Sequence, residues 1–112
     1  MAAKFEIDTR SNGEFHFNLK AGNGHVILSS QGYSSKFACQ TGIESVRVHA
    51  ANADNFAGKT AKDGSPYFTL VAGNGQVIGS SEMYESANSR DNGIRSVMDN
   101  AAEAEVVDRT MA

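Results

Sequence analysis

The chain has no tryptophan, one proline and a single cysteine among 112 residues. Cys39 therefore has no internal disulfide partner, and a reducing compartment fits such a chain. Proline is confined to Pro66, which leaves no proline-rich linker or polyproline segment. Long apolar runs are missing as well. Nothing approaches the ~18 consecutive apolar residues of a membrane span. The opening Met1-Ala2-Ala3-Lys4-Phe5-Glu6 lacks the apolar stretch of about 7 to 15 residues that a secretory signal needs. A cytoplasmic location without membrane association is expected. Neither charge sign dominates: ten Lys and Arg stand against thirteen Asp and Glu, a formal net charge of -3. No global field draws the chain to nucleic acid.

What the chain does have is a repeat. The segment Phe17 to Ser30 returns 51 positions later as Phe68 to Ser81, and Gly13 to Ala51 aligned without a gap on Gly64 to Ala102 shares 19 of 39 positions. Each unit is short for an independent core. We expect a single domain over residues 1–112, with internal repeats at approximately 4–54 and 55–108, the halves sharing one core as a monomeric pseudo-dimer.

Within each unit the apolar period changes once. Phe15, Phe17, Leu19 and Ala21 alternate with Glu14, His16, Asn18 and Lys20, and Pro66, Phe68, Leu70 and Ala72 repeat that inward row, the pattern of half-buried strands. Pro66 lacks an N–H, so its end of the strand should lie where no ladder donor is needed. Asn12-Gly13, Asn23-Gly24, Asp63-Gly64 and Asn74-Gly75 predict hairpins with type I′ turns. Ser35 and Ser86 are expected helix N-caps. After them Cys39, Ile43, Val46 and Ala50 form one helical stripe, which Ile94, Val97 and Ala101 repeat in part. Gly42 and Gly93 sit inside these helices despite a cost of about 1 kcal/mol relative to alanine, which predicts close packing of helix on sheet. The 51-residue register puts Phe5, Phe56 and Val107 in one column, so a strand should follow each helix.

The motifs LKAGNGHVILSSQGYSSK with GIESV, and VAGNGQVIGSSEMY with GIRSV, resemble the YegP-like family of small bacterial proteins of uncharacterised function. The resemblance runs from Phe5 to about Asp108. It implies an α+β fold of tandem β3-α-β repeats forming one antiparallel sheet, with two helices on one face and C-terminal strands exchanged between the repeats. It brings no catalytic residues with it. Arg90, where a small or apolar helix residue is the rule, and Gly79, inside a strand, are the departures.

For function, the hairpin glycines are not a phosphate cradle, because they join two strands and neither copy carries the lysine of such a loop. His16, His25 and His49 align with Tyr67, Gln76 and Asn100 and match no zinc spacing, so no metal or other cofactor is expected. Cys39 falls on the apolar stripe and reads as core. The polar set that both copies retain is Ser30, Tyr33 and Ser35 with Ser81, Tyr84 and Ser86. Tyr33, Tyr84, Ser30 and Ser81 are therefore the candidate binding surface of a small non-enzymatic binding or interaction module whose partner the sequence does not name. Two alternatives stand beside it: an enzyme with His16 or Asp91 in a cleft between the repeats, and weak nucleic-acid binding over Lys20, His16 and Tyr67. Nucleic acid is not the expected partner.

Overall fold

The computed structural model describes residues 3–110. In the first repeat, strands β1 (Lys4–Thr9), β2 (Phe15–Lys20) and β3 (Val26–Ser30) precede helix α1 (Lys36–His49). A 3-10 turn (Ala53–Asn55) leads to β4 (Phe56–Thr60), β5 (Pro66–Val71), β6 (Val77–Ser80), helix α2 (Ala87–Asn100) and β7 (Glu105–Asp108). The seven strands form one sheet in the order β4-β5-β6-β3-β2-β1-β7. Both helices cover the same face. There Phe5, Ile7, Phe17, Leu19, Leu28, Phe68 and Leu70 meet Cys39, Ile43, Val46 and Val97, all essentially without solvent exposure. Both predicted caps form: Ser35 Oγ accepts from Ala38 N–H and Ser86 Oγ from Ser89 N–H.

All strand pairs but one are antiparallel. The strand after α2 crosses to the first repeat as expected, but β7 lies parallel to β1, with Phe5 opposite Val106 and Ile7 opposite Asp108. β7 runs opposite to β6, the strand before α2, and the parallel ladder arises because β1, at the far side of the sheet, points the same way as β7. The link holds through Arg109 N–H to Ile7 C=O at 2.9 Å, through Arg47 Nη2 to the Ala104 carbonyl at 2.6 Å, and through Lys36 Nζ to Asp108 at 2.9 Å. The Lys36 ammonium, followed by the Thr110 hydroxyl and N–H, holds the Asp108 carboxyl down from the ordinary 3.8 to about 2. A folded value below the unfolded one stabilises above pH ~4 and is lost as pH falls towards about 2. Amide protection factors of the β1–β7 ladder, taken against the intrinsic rate at each pH, should therefore fall between pH 4 and 2, and Asp108→Asn should abolish that acid step while loosening β7 at neutral pH.

The turns differ from expectation. Type I′ would need positive φ at both central residues, yet among the described residues only Gly13, Gly24, Gly64 and Gly75 have it, at 87 to 89°. In each, the glycine N–H closes a four-residue turn (Gly13 to Arg10 C=O, 2.9 Å) and the strand resumes one residue later (Arg10 N–H to Glu14 C=O, 2.7 Å). This is a type I turn ending in a glycine bulge. The Asx residue keeps negative φ because its side chain is used: Asn12, Asn23, Asp63 and Asn74 each accept the N–H two residues on, at 2.9 to 3.0 Å.

Pro66 sits where expected. Phe15 and Tyr33 exchange two backbone bonds, whereas the matching pair has only Tyr84 N–H to Pro66 C=O. The repeats meet at β3–β6, where Ser29 faces Ser80 and Ser30 faces Gly79. Exchanging the repeats maps the first pair onto itself. Gly79 is the counterpart of Leu28, and a Cβ on it would lie 2.9 Å from Ser29 O and 3.0 Å from Leu28 Cγ. The seam has room for one leucine of the two.

Candidate functional site

Each repeat stacks three rings under its helix. Phe5 meets Phe17 edge-on at 5.7 Å and Phe17 stacks on Tyr33 at 6.3 Å; Phe56, Phe68 and Tyr84 repeat the set at 5.7 and 6.2 Å. The tyrosine ends the row beneath its helix, and there the helical glycines find their use. A Cβ on Gly42 would overlap Tyr33 Oη and approach its Cζ to 2.8 Å; one on Gly93 would approach Tyr84 Cζ to 2.7 Å. The close packing that the sequence predicts is thus onto a tyrosine more than onto the sheet backbone. Burial raises both phenol pKa values, with Cys39 adding to the effect at Tyr33 and Glu82 at Tyr84. Both phenols stay neutral near neutrality, and no hydrogen bond to another described residue engages either hydroxyl.

Ser30 and Ser81 are committed elsewhere. Ser30 Oγ accepts Phe17 N–H at 2.9 Å and donates to Gln31 C=O at 2.8 Å; Ser81 does the same with Phe68 and Glu82 at the same distances. These hydroxyls bridge a ladder position that β3 and β6 leave open, and their capacity is used there. Of the four residues that the sequence singled out, Tyr33 lines a groove.

That groove, of about 430 Å³, runs between α1 and the β5–β6 hairpin of the other repeat. Phe37, Thr41 and Ser45 line it at successive turns, with Tyr33 and Gly42 beside them and Val77 and Ile78 opposite. Gln31, Asn74 and Gln76 add side-chain amides. Phe37 is 78% and Val77 46% exposed, a pair of large apolar side chains left to solvent across one cleft. His49 ties its walls. Its Nδ1 lies 2.8 Å from Ser45 C=O and so carries the proton, which leaves Nε2 to accept Gly73 N–H at 3.2 Å. The sequence did not single out Phe37 or Val77; exposure of both across one cleft becomes visible once the helix is laid on the second hairpin. At the matching positions of the other repeat, Phe37 becomes Asn88, Ala38 becomes Ser89 and Gln76 becomes His25, so the two tyrosine corners differ in chemistry.

Among the described residues Tyr33 is the one titratable side chain of the lining. Cys39 lies buried in the core with its thiol pushed up to about 11, first by burial and then by the Asp108 carboxylate, and the thiol form is no nucleophile. His16 faces Asp8 across β1–β2 and Asp91 is held by Arg90 on α2, and neither lines the groove. Among the described residues no three His, Cys, Asp or Glu side chains gather as metal ligands, and no helix is long and apolar enough to cross a membrane. Lys20, proposed for a nucleic-acid strand, instead pairs with buried Glu6 at 2.9 Å. With Lys4 and Arg109 nearby, that lysine holds the Glu6 carboxyl below its usual range.

Comparison with known proteins agrees with this architecture. A UPF0339 protein of Shewanella oneidensis is 46% identical over 110 residues, 98% of this chain and all of that one. A UPF0339 protein of Bordetella pertussis is 51% identical over 91% of this chain and 92% of its own. The solution structure of Escherichia coli YegP, described as a protein of unknown function, superposes with a TM-score of 0.91 at 46% identity, covering 97% of this chain and 94% of that one. The family described as a domain of unknown function (DUF1508) matches residues 11–56 and again 61–108. With both repeats matched and close relatives spanning nearly its whole length, the chain belongs to this DUF1508 family, the one that includes the UPF0339 protein YegP.

Proposed function

We propose that the chain is a non-enzymatic binding module whose groove over Tyr33 takes a short, uncharged apolar segment of a polypeptide. The observation that carries this reading is the lining itself. Phe37 and Val77 lie exposed on opposite walls, the Tyr33 hydroxyl has no acceptor among the described residues, and the amides of Gln31, Asn74 and Gln76 can meet a peptide main chain. Among the described residues no charged side chain contributes to the lining, so an ionic ligand would meet no counter-charge from them. No base stands beside the phenol, which speaks against turnover. A monomer acting in the cytoplasm is the setting in which we place it, supported by the lone buried thiol of Cys39.

The test is an amide-shift titration of the full chain with capped tetrapeptides carrying Leu or Phe at the second position, against the same peptides with Asp or Lys there. Saturable shifts centred on Phe37, Thr41 and Val77 are expected for the apolar set alone. Phe37→Asp should weaken binding about tenfold or more without lowering the melting temperature, since that side chain is 78% exposed, and Val77→Asp should weaken binding as much with some loss of strand stability. Equal response to charged peptides, or shifts centred elsewhere, would overturn the reading.

A further inference from the structure

Strands β1 and β4 occupy one column of the repeat, yet their surroundings differ. β1 lies between β2 and β7, whereas β4 ends the sheet. Phe5 is fully buried beneath that cover, while its counterpart Phe56 is only partly buried. The residues around the two edges have changed together. Ile7, which faces Asp108 of β7, becomes Gly58; Lys36, which pairs with Asp108, becomes Ala87; Cys39 becomes Arg90.

Arg90 reaches down from α2 onto Gly58, where a Cβ would lie 2.9 Å from Nη1 and 3.0 Å from Cζ. Its side chain is only 22% exposed. Among the described residues its one ionic contact runs from Nε to neighbouring Asp91 at 3.2 Å, and neither Nη finds an acceptor. A guanidinium thus sits at the sheet edge level with the position that, on the β1 side, faces a carboxylate. Glycine at 58 gives it the room.

We propose that the free edge of β4 takes an extended segment of a partner polypeptide, parallel to β4, with two apolar residues followed by a carboxylate opposite Gly58 that pairs with Arg90. This is the arrangement of β7 on β1, with the cation delivered from position 90 in place of 36. Main-chain pairing supplies the attachment and the carboxylate the register. A second copy is a poor occupant, because antiparallel pairing of β4 with β4 at Gly58 sets the two Arg90 guanidinium groups near each other with no carboxylate of β4 between them.

The probe is a capped peptide with the sequence of residues 104–110, added to the isotope-labelled full chain. Saturable amide shifts should run along Phe56 to Thr60 and the turn of α2 that carries Arg90. A peptide with Asn in place of its Asp, or the Arg90→Ala chain, should bind about tenfold more weakly, and Arg90→Lys should recover much of the loss. The altered peptide keeps the test valid if Arg90→Ala folds poorly. The proposal is overturned if no shifts saturate, if the Asn peptide binds as tightly, or if shifts fall on β1 and β2 because the peptide displaces β7. Shifts at Phe37 and Val77 would place the peptide in the groove and overturn the edge site alone. Dimers that perturb the β4 amides without peptide would make a second copy the occupant, against the proposal.

Discussion

A chain ending at Ala102 should melt at least ~12 °C below the full chain and should dimerise or aggregate. Removing β7 uncovers the β1 edge from Lys4 to Ile7 and takes away Ala104, which is 2% exposed in the intact fold. It also removes the bond from Arg109 N–H to Ile7, the Arg47 contact to the Ala104 carbonyl and the Lys36–Asp108 pair. The two hydrogen bonds to backbone carbonyls, at a net ~1 kcal/mol each, with the lost β1–β7 ladder and apolar cover, give roughly 3 kcal/mol or more without the solvent-screened ion pair, which at about 4 °C per kcal/mol sets the expected shift. Phe5 and Ile7 would then border an unpaired edge, the usual template for intermolecular pairing. Calorimetry and light scattering check both parts. An unchanged melting temperature with a monomeric profile would mean that β7 contributes nothing to holding β1.

Making the repeats more alike should, at one position, damage the protein. Gly79→Leu copies into the second repeat the residue that the first holds as Leu28, and it is expected to cost about 3 kcal/mol or more. The added Cβ meets a backbone oxygen, Ser29 O, at 2.9 Å, which cannot rotate away, and Leu28 itself at 3.0 Å. Overpacking of this kind typically costs about 1 to 3 kcal/mol, and contact with backbone puts this site at the upper end. The exchange variant Leu28→Gly with Gly79→Leu should recover the part of the loss that comes from Leu28, while the contact with Ser29 O remains. Chemical denaturation of the three variants decides it: additive losses in the double variant would show that the seam is not shared space.

Much of this architecture is legible in one dimension because its causes are local or repeat with the chain. Alternation at Phe15, Phe17 and Leu19 marks a strand whatever lies above it, and Ser35 and Ser86 cap helices through bonds spanning three residues. The column of Phe5, Phe56 and Val107 placed even the short β7. The turns were readable as turns but not as a type, since the Asx side chains satisfy the N–H two residues on and leave positive φ to glycine alone. At the candidate site the sequence found Tyr33 through its duplication. It offered no sign that Ser30 and Ser81 spend their hydroxyls on backbone, or that Phe37 and Val77, 40 positions apart, face one cleft.

Contacts between repeats account for the remainder. Gly79 yields its space to a leucine of the other repeat, which is not near it in sequence. The same column gives β1 a second neighbour and leaves β4 at the end of the sheet, because β7 pairs with β1. Local propensity fixes what each segment becomes; which of two equivalent edges is covered depends on the tertiary pairing that β7 makes.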